Sequence, residues 1–184
     1  WESHLAPPPH LVGLRIAALD SLVARGGSEG HSPVVVASAI ALAEAVPDEG
    51  LRPGGLTIRR GEEVSLDDLA ELLVECGYER VDQVEDRGQF AIRGGILDLF
   101  GATEDQAARI ELFGDEVESI RRFSTFTQRS LGESELVDLA PAAEIAGQHI
   151  EDADTLPLDR FAPFLDLISP DCAVITAASD EIDQ

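Results

Sequence analysis

The chain has 184 residues, 44% of them hydrophobic, enough for one large domain or two small ones with a substantial core. Its charge is lopsided: 36 acidic residues stand against 13 basic ones, all arginine, for a formal net charge of −23. A body this acidic repels nucleic-acid phosphates, the lack of any lysine excludes a phosphate-gripping P-loop, and no apolar run is long enough for a membrane-spanning helix.

Residues 1–10, WESHLAPPPH, are proline-rich and read as extended. No basic segment followed by an apolar one opens the chain, so no signal peptide is expected and the cytoplasm is the expected compartment. The first residue is Trp1 rather than methionine, as expected of a fragment, a processed chain or an excised domain. Leu11, Leu14, Ile16, Leu19, Leu22 and Val23 recur at helical spacing and predict a helix over 11–23, ended by Gly26 and Gly27. A polar loop over 28–32 follows. PVVVAS (33–38) is a β-branched run suited to a strand buried on both faces. Residues 39–46 read as a helix stopped by Pro47. Helix, buried strand and helix are α/β ingredients. DEGLRPGG (48–55) reads as a boundary.

Beyond it the pattern changes. LTIRRG (56–61) is a short strand. Ser65 is placed as a helix N-cap, Asp68 can reach back as in a capping box, and Val64 and Leu69 are spaced for a hydrophobic staple. Leu66, Leu69, Leu72 and Leu73 form one apolar face, and Gly77 closes the helix. Three strand candidates follow: YERVDQV (78–84), the run 89–100, and ARIELF (108–113). Gly114 and Asp115 make a tight Gly-X turn, with EVESIRRF (116–123) as the return strand. A polar linker (146–155), an amphipathic helix-like segment (160–168) and a second buried-strand candidate, CAVIT (172–176), complete the chain. The expected fold class is α/β and α+β. A partial α/β unit over 1–55 is completed by 141–184. Between its parts lies an α+β unit over 56–140, one helix on a small, mostly antiparallel sheet.

No catalytic signature stands out. GxGxxG, HExxH and the GxSxG elbow are missing. Cys76 and Cys172 fit no metal spacing and read as free, buried thiols. Acidic runs such as DEVES and EDADT read as solvated surface. SDEID (179–183) would hold magnesium only beside a nucleotide loop, which this sequence lacks. The chain is therefore read as non-catalytic, with no metal or cofactor of its own.

The stretch FAIRGGILDLFG (90–101) is the most informative. Side chains alternate across a strand, so Phe90 and Ile92 share one face while Gln89, Ala91 and Arg93 share the other. In the next strand Ile110 and Leu112 oppose Arg109, Glu111 and Phe113. If both apolar sets face the helix, Arg93, Arg109 and Phe113 gather on the open face of the sheet. Arginine and aromatic residues are the types enriched at binding interfaces. Gly94 and Gly95 fit a bulge or a close backbone approach that re-aims Arg93. The alternative is that Arg93 and Arg109 only pair with acids such as Glu111 and Asp98.

The motifs GY-x-R-V-D-x-V-E (77–85), F-A-x-R-G-G-I-L-D, R-I-E-L-F-G-D-E-x-E-S-I-R (109–121), T-Q-R-S (127–130) and P-A-x-E (141–144) run almost continuously over 56–144. They resemble the UvrB interaction domain of bacterial transcription-repair coupling factors, which is related to domain 2 of UvrB. The flanks resemble parts of the preceding RecA-like domain. The resemblance implies docking onto UvrA, the damage-sensing ATPase of excision repair. It maps the R-G-G arginine to Arg93, the arginine of R-I-E-L-F to Arg109 and that motif's aromatic to Phe113. Gly94, Gly95 and Gly114 are then structural turn or bulge positions. It also implies a parent DNA translocase, with ATP and magnesium in its motor domains. That parent would contact RNA polymerase and double-stranded DNA through regions this chain does not contain. A fragment of UvrB itself and a free-standing paralogue are the alternatives. A neighbouring domain of the parent would be placed to mask the arginine face.

Overall fold

The computed structural model describes residues 7–23, 34–147, 156–167 and 173–175. Helix α1 (Pro9–Val23) starts two residues earlier than the apolar spacing indicates, because proline is tolerated in a first turn whose N–H lacks an intrahelical partner. Val12, Ile16, Leu19 and Leu22 form its buried stripe, whereas Leu11 and Leu14 lie on the exposed side. The helix packs directly on the sheet-bearing region: a Cβ on Gly13 would sit 2.9 Å from the Ala102 Cβ.

Several expectations in the flanks are corrected. Residues 34–38 form no strand, and Val34 and Val36 are exposed. Residues 173–175 of CAVIT likewise form no strand, and Val174 and Ile175 are exposed. A strand buried on both faces needs strand neighbours, and neither 34–38 nor 173–175 enters a sheet. The helix expected over 39–46 stops early. Helix α2 (Ala39–Ala43), capped by Ser38, gives way to β1 (Ala45–Pro47). β1 pairs antiparallel with β10 (Phe161–Pro163), so the helix-like segment 160–168 is instead a strand between two 3-10 turns, Leu158–Arg160 and Phe164–Leu167. The loop 28–32, most of the linker 146–155, Cys172 and SDEID lie outside the described residues.

From residue 56 onward the correspondence is closer. β2 (Leu56–Arg59) pairs antiparallel with β9 (Leu136–Leu139), a strand the sequence did not announce. Ser65 caps α3 (Leu66–Glu75), its Oγ accepting from the Asp67 and Asp68 N–H groups at 3.2 and 3.5 Å. Asp67 and Asp68 also suit the positive end of the helix dipole. Six strands form the main sheet in chain order: β3 (Glu79–Arg80), β4 (Gln89–Arg93), β5 (Ile96–Phe100), β6 (Ala107–Phe113), β7 (Glu116–Phe123) and β8 (Ser130–Glu133). All neighbours are antiparallel except β3 and β4.

Two strand expectations change. YERVDQV yields only the two-residue β3, after which the chain turns and lays Val81 and Val84 against the sheet. The run 89–100 is a hairpin rather than one bulged strand. Gly94 and Gly95 are its two-residue turn, and Gly94 adopts φ +61°, the left-handed backbone such turns demand. Gly114 plays the same part between β6 and β7.

One face of the sheet carries Phe90, Leu97, Leu99, Ala108, Ile110, Val117 and Ile120, all buried against Leu69 and Leu73 of α3. Burial of each large side chain contributes about 1.5–3 kcal/mol. A bulge in β7 then decides what the other face displays. Glu111 faces Ser119 while Leu112 faces Val117, leaving Glu118 as the extra residue. Strict alternation from Val117 would turn Arg121 and Phe123 inward. The bulge returns Ile120 to the core and sends Arg121 and Phe123 to the opposite face.

Candidate interaction face

The face turned away from α3 is only partly open. Val84, Ala91, Ala107 and Phe123 form a second small buried cluster on it. Beside that cluster lies Asp98, a buried charged residue at 2% exposure. Its place in ILDLF follows from alternation: Leu97 and Leu99 enter the main core, so Asp98 must point the other way. A lone buried carboxylate is costly, and here it is met by two arginines.

Asp98 and Arg109 are direct cross-strand partners. Arg109 donates from Nε to Oδ1 at 2.6 Å and from Nη2 to Oδ2 at 2.8 Å, the bidentate fork that guanidinium geometry favours. Arg93, across the β4–β5 pair and one step along, donates from Nη2 to the same Oδ2. Hydrogen bonding to Asp98 raises the Arg109 pKa above the ordinary arginine value, against a smaller opposing effect of burial. Arg109 also stacks over the Phe123 ring, 4.8 Å from its centre, and donates to Gln128 Oε1 at 3.3 Å. Arg109 is therefore held by three partners, Asp98, Phe123 and Gln128. Arg93 is half-exposed and is bonded through one nitrogen only, leaving most of its fork directed at solvent.

Around this pair, Arg121 donates to Glu111 Oε2 at 3.1 Å, and Ser119 Oγ donates to the same atom at 3.1 Å. Phe113, at the β6–β7 turn, is 81% exposed. The β4–β5 turn lies alongside the end of β6: the Gly95 carbonyl accepts from the Leu112 N–H at 2.8 Å. The structure thus brings Arg93 and Arg109 together on Asp98 and puts Phe113 at the end of the strand that carries Arg109. The ion pairing weighed as the alternative from sequence is present, with Asp98 as the shared acid, while Glu111 belongs to Arg121. Gln128, Arg121 and Phe123 were missed, because the bulge and the turn that place them leave no mark in periodicity. Among the described residues, no group of three His, Cys, Asp or Glu could hold a metal ion. No helix among them is long and apolar enough to cross a membrane.

The model of the UvrB interaction domain family matches residues 56–145, from the first residue of β2 through α3, the six-stranded sheet and β9. Residues 56–145 belong to the UvrB interaction domain family. Arg93, Arg109, Phe113, Gly94, Gly95 and Gly114 all lie inside this UvrB interaction domain. The chain is 38% identical over 138 residues to the transcription-repair-coupling factor of Bacillus subtilis (strain 168), covering 74% of this chain and 11% of that protein. It is 39% identical over 98 residues to the transcription-repair-coupling factor of Escherichia coli (strain K12), covering 53% of this chain and 8% of that protein. It is 35% identical over 141 residues to UvrABC system protein B of Streptococcus uberis (strain ATCC BAA-854 / 0140J), covering 75% of this chain and 20% of that protein. The chain therefore spans about a tenth of the coupling-factor relatives and about a fifth of the UvrABC system relative.

Proposed function

We propose that this chain is a docking module of nucleotide excision repair that binds UvrA through the face bearing Arg93, Arg109 and Phe113. The observation that carries the reading is the pair of guanidiniums converging on one buried carboxylate beside an exposed phenylalanine. Asp98 fixes both arginines before any partner arrives, so less conformational freedom is lost on docking. Arg93, bonded through Nη2 alone, keeps a free edge that can grip a partner carboxylate in a planar, bidentate way, while Arg109, whose Nε and Nη2 are taken, has Nη1 to offer. Phe113 supplies the apolar anchor, and its burial would add about 1.5–3 kcal/mol. On a chain of net charge −23, such a concentration of arginine marks where an acidic protein surface can approach.

In this reading the parent is a transcription-repair coupling factor, favoured by 38% identity to that relative against 35% to UvrABC system protein B. The chain would be its recruiting arm, with 1–55 and 141–184 as pieces of the neighbouring α/β unit. Translocation, RNA polymerase contact and DNA binding would lie in parts of the parent outside this chain. Amide hydrogen exchange with and without excess UvrA tests the reading. Protection should concentrate in residues 89–113. A complex that leaves exchange in these residues unchanged would place docking elsewhere.

A further inference from the structure

The turn between β7 and β8 is more tightly built than a connection requires. The Ser124 carbonyl accepts from the Gln128 N–H at 2.7 Å, Ser124 Oγ accepts from the Thr127 N–H at 3.2 Å, and the Ser124 N–H donates to the Arg129 carbonyl at 3.0 Å. Gln128 Nε2 donates back to the Thr125 carbonyl at 2.8 Å. Among the described residues Gln128 alone combines a side chain with positive φ, at 58°. A left-handed backbone at a non-glycine residue is uncommon and costs free energy that surrounding contacts must offset. The contact beyond the turn is Arg109, whose Nη2 donates to Gln128 Oε1 at 3.3 Å. The strained residue therefore ties the turn to the arginine pair.

What this turn holds up is Phe126, 96% exposed and the most exposed aromatic side chain among the described residues. A phenylalanine this exposed adds nothing to the core, yet a hydrogen-bonded, strained turn keeps it in place. Its position is complementary to that of Phe113. Phe113 precedes β7 and faces Glu116 at its first residue, while Phe126 follows Phe123 at its last. Arg109, paired with Arg121, lies between them along the strand. Resting on the docking role proposed above, we infer that Phe126 is a second aromatic anchor of the same face, with Gln128 as its positioning residue. The UvrA surface this face accepts then has acidic groups at its centre and an apolar pocket on each side.

The test is a titration of UvrA with the full chain, its Phe126→Ala and Gln128→Gly variants, and an Arg93→Ala/Phe113→Ala variant, each also followed by thermal unfolding. Phe126→Ala should weaken binding by about tenfold or more, the scale of an interface anchor, while leaving thermal stability unchanged. Gln128→Gly should weaken binding without lowering stability, because glycine relieves the left-handed strain while freeing the turn. A purely structural glutamine would show the reverse. If Arg93→Ala/Phe113→Ala loses binding and Phe126→Ala binds like the wild type, the second anchor is overturned and the docking face stands. If neither variant affects binding, or the wild type does not bind UvrA, the docking face and its second anchor are both overturned.

Discussion

Arg93 and Arg109 look equivalent in the sequence, yet they should differ sharply in what they contribute to stability. Arg109→Ala removes both arms of a fork on Asp98, a carboxylate only 2% exposed, together with the ring contact to Phe123. Breaking a fully buried pair costs about 3–5 kcal/mol. Here Asp98 keeps Arg93, and Arg109 itself is a quarter exposed, so the loss falls to about 2 kcal/mol, to which the ring contact adds about 0.5–1 kcal/mol. Arg93→Ala removes a single bond from a half-exposed side chain and leaves Asp98 its bidentate partner. That places it in the range of solvent-exposed pairs, about 0.2–1 kcal/mol. Urea unfolding at neutral pH, followed by tryptophan-independent far-ultraviolet circular dichroism, reads both differences from the midpoints. In an Asp98→Ala background the gap between the two arginine substitutions should shrink to about the ring contact, about 0.5–1 kcal/mol, since the shared acceptor is gone. Equal losses for Arg93→Ala and Arg109→Ala in the wild-type background would refute the asymmetry and the geometry behind it.

Two further predictions concern the frame that carries this face. Burial pushes the Tyr78 hydroxyl up to about 12 from an ordinary value of 10, and it donates to the Ala140 carbonyl at 2.7 Å while accepting from the Ala102 N–H at 3.1 Å. The folded state thus holds this proton more tightly than the unfolded one, so the associated stability is complete below pH ~10 and is lost as pH rises towards ~12, on the order of 2–3 kcal/mol in all. Tyr78→Phe should cost about 1–3 kcal/mol at pH 8, by leaving two backbone groups unpaired. Its loss relative to wild type should shrink between pH 10 and 12, and urea midpoints across that range check the sign. Gly95→Ala would place a Cβ 2.8 Å from the Leu112 carbonyl oxygen, a backbone atom that cannot swing aside. The expected cost is about 1–3 kcal/mol, as for an overpacked core site, while Gly94→Asn, at a left-handed position with open space around it, should stay within about 1 kcal/mol of wild type.

What the sequence revealed and what it hid divide along physical lines. The Ser65 cap and the Gly114–Asp115 hairpin are local devices, each complete within a few residues, and each appears where its residues indicate; of the α3 stripe, Leu69 and Leu73 are buried and Leu66 packs against them, whereas Leu72 lies on the exposed side. Arg93, Arg109 and Phe113 share a face because alternation propagates reliably along short strands. Gly94–Gly95 was harder, since two glycines between apolar runs suit a bulge or a turn equally, and only the partner strand decides. Pairings that join distant segments were illegible: β2 with β9, and β1 with β10, are set by tertiary contact rather than by composition. PVVVAS and CAVIT show the opposite failure. Their β-branched residues favour a buried strand, but residues 34–38 and 173–175 form none, because propensity alone does not make a strand. The candidate site was legible in its arginines and hidden in its supports, because Phe123 reaches the face through a bulge set by one inserted residue, Glu118, and Gln128 through a turn with left-handed backbone.

The central claim is that the Arg93 and Phe113 side chains bind UvrA, and a titration of the wild-type chain against its Arg93→Ala/Phe113→Ala variant tests it most directly. These two positions are chosen over Arg109 because their removal leaves the Asp98–Arg109 fork and the fold intact, which unfolding curves of the variant should verify. The account predicts that the variant keeps its fold and loses about 2 kcal/mol or more of binding free energy, roughly thirtyfold in affinity. A folded variant that binds UvrA as tightly as the wild type would contradict it.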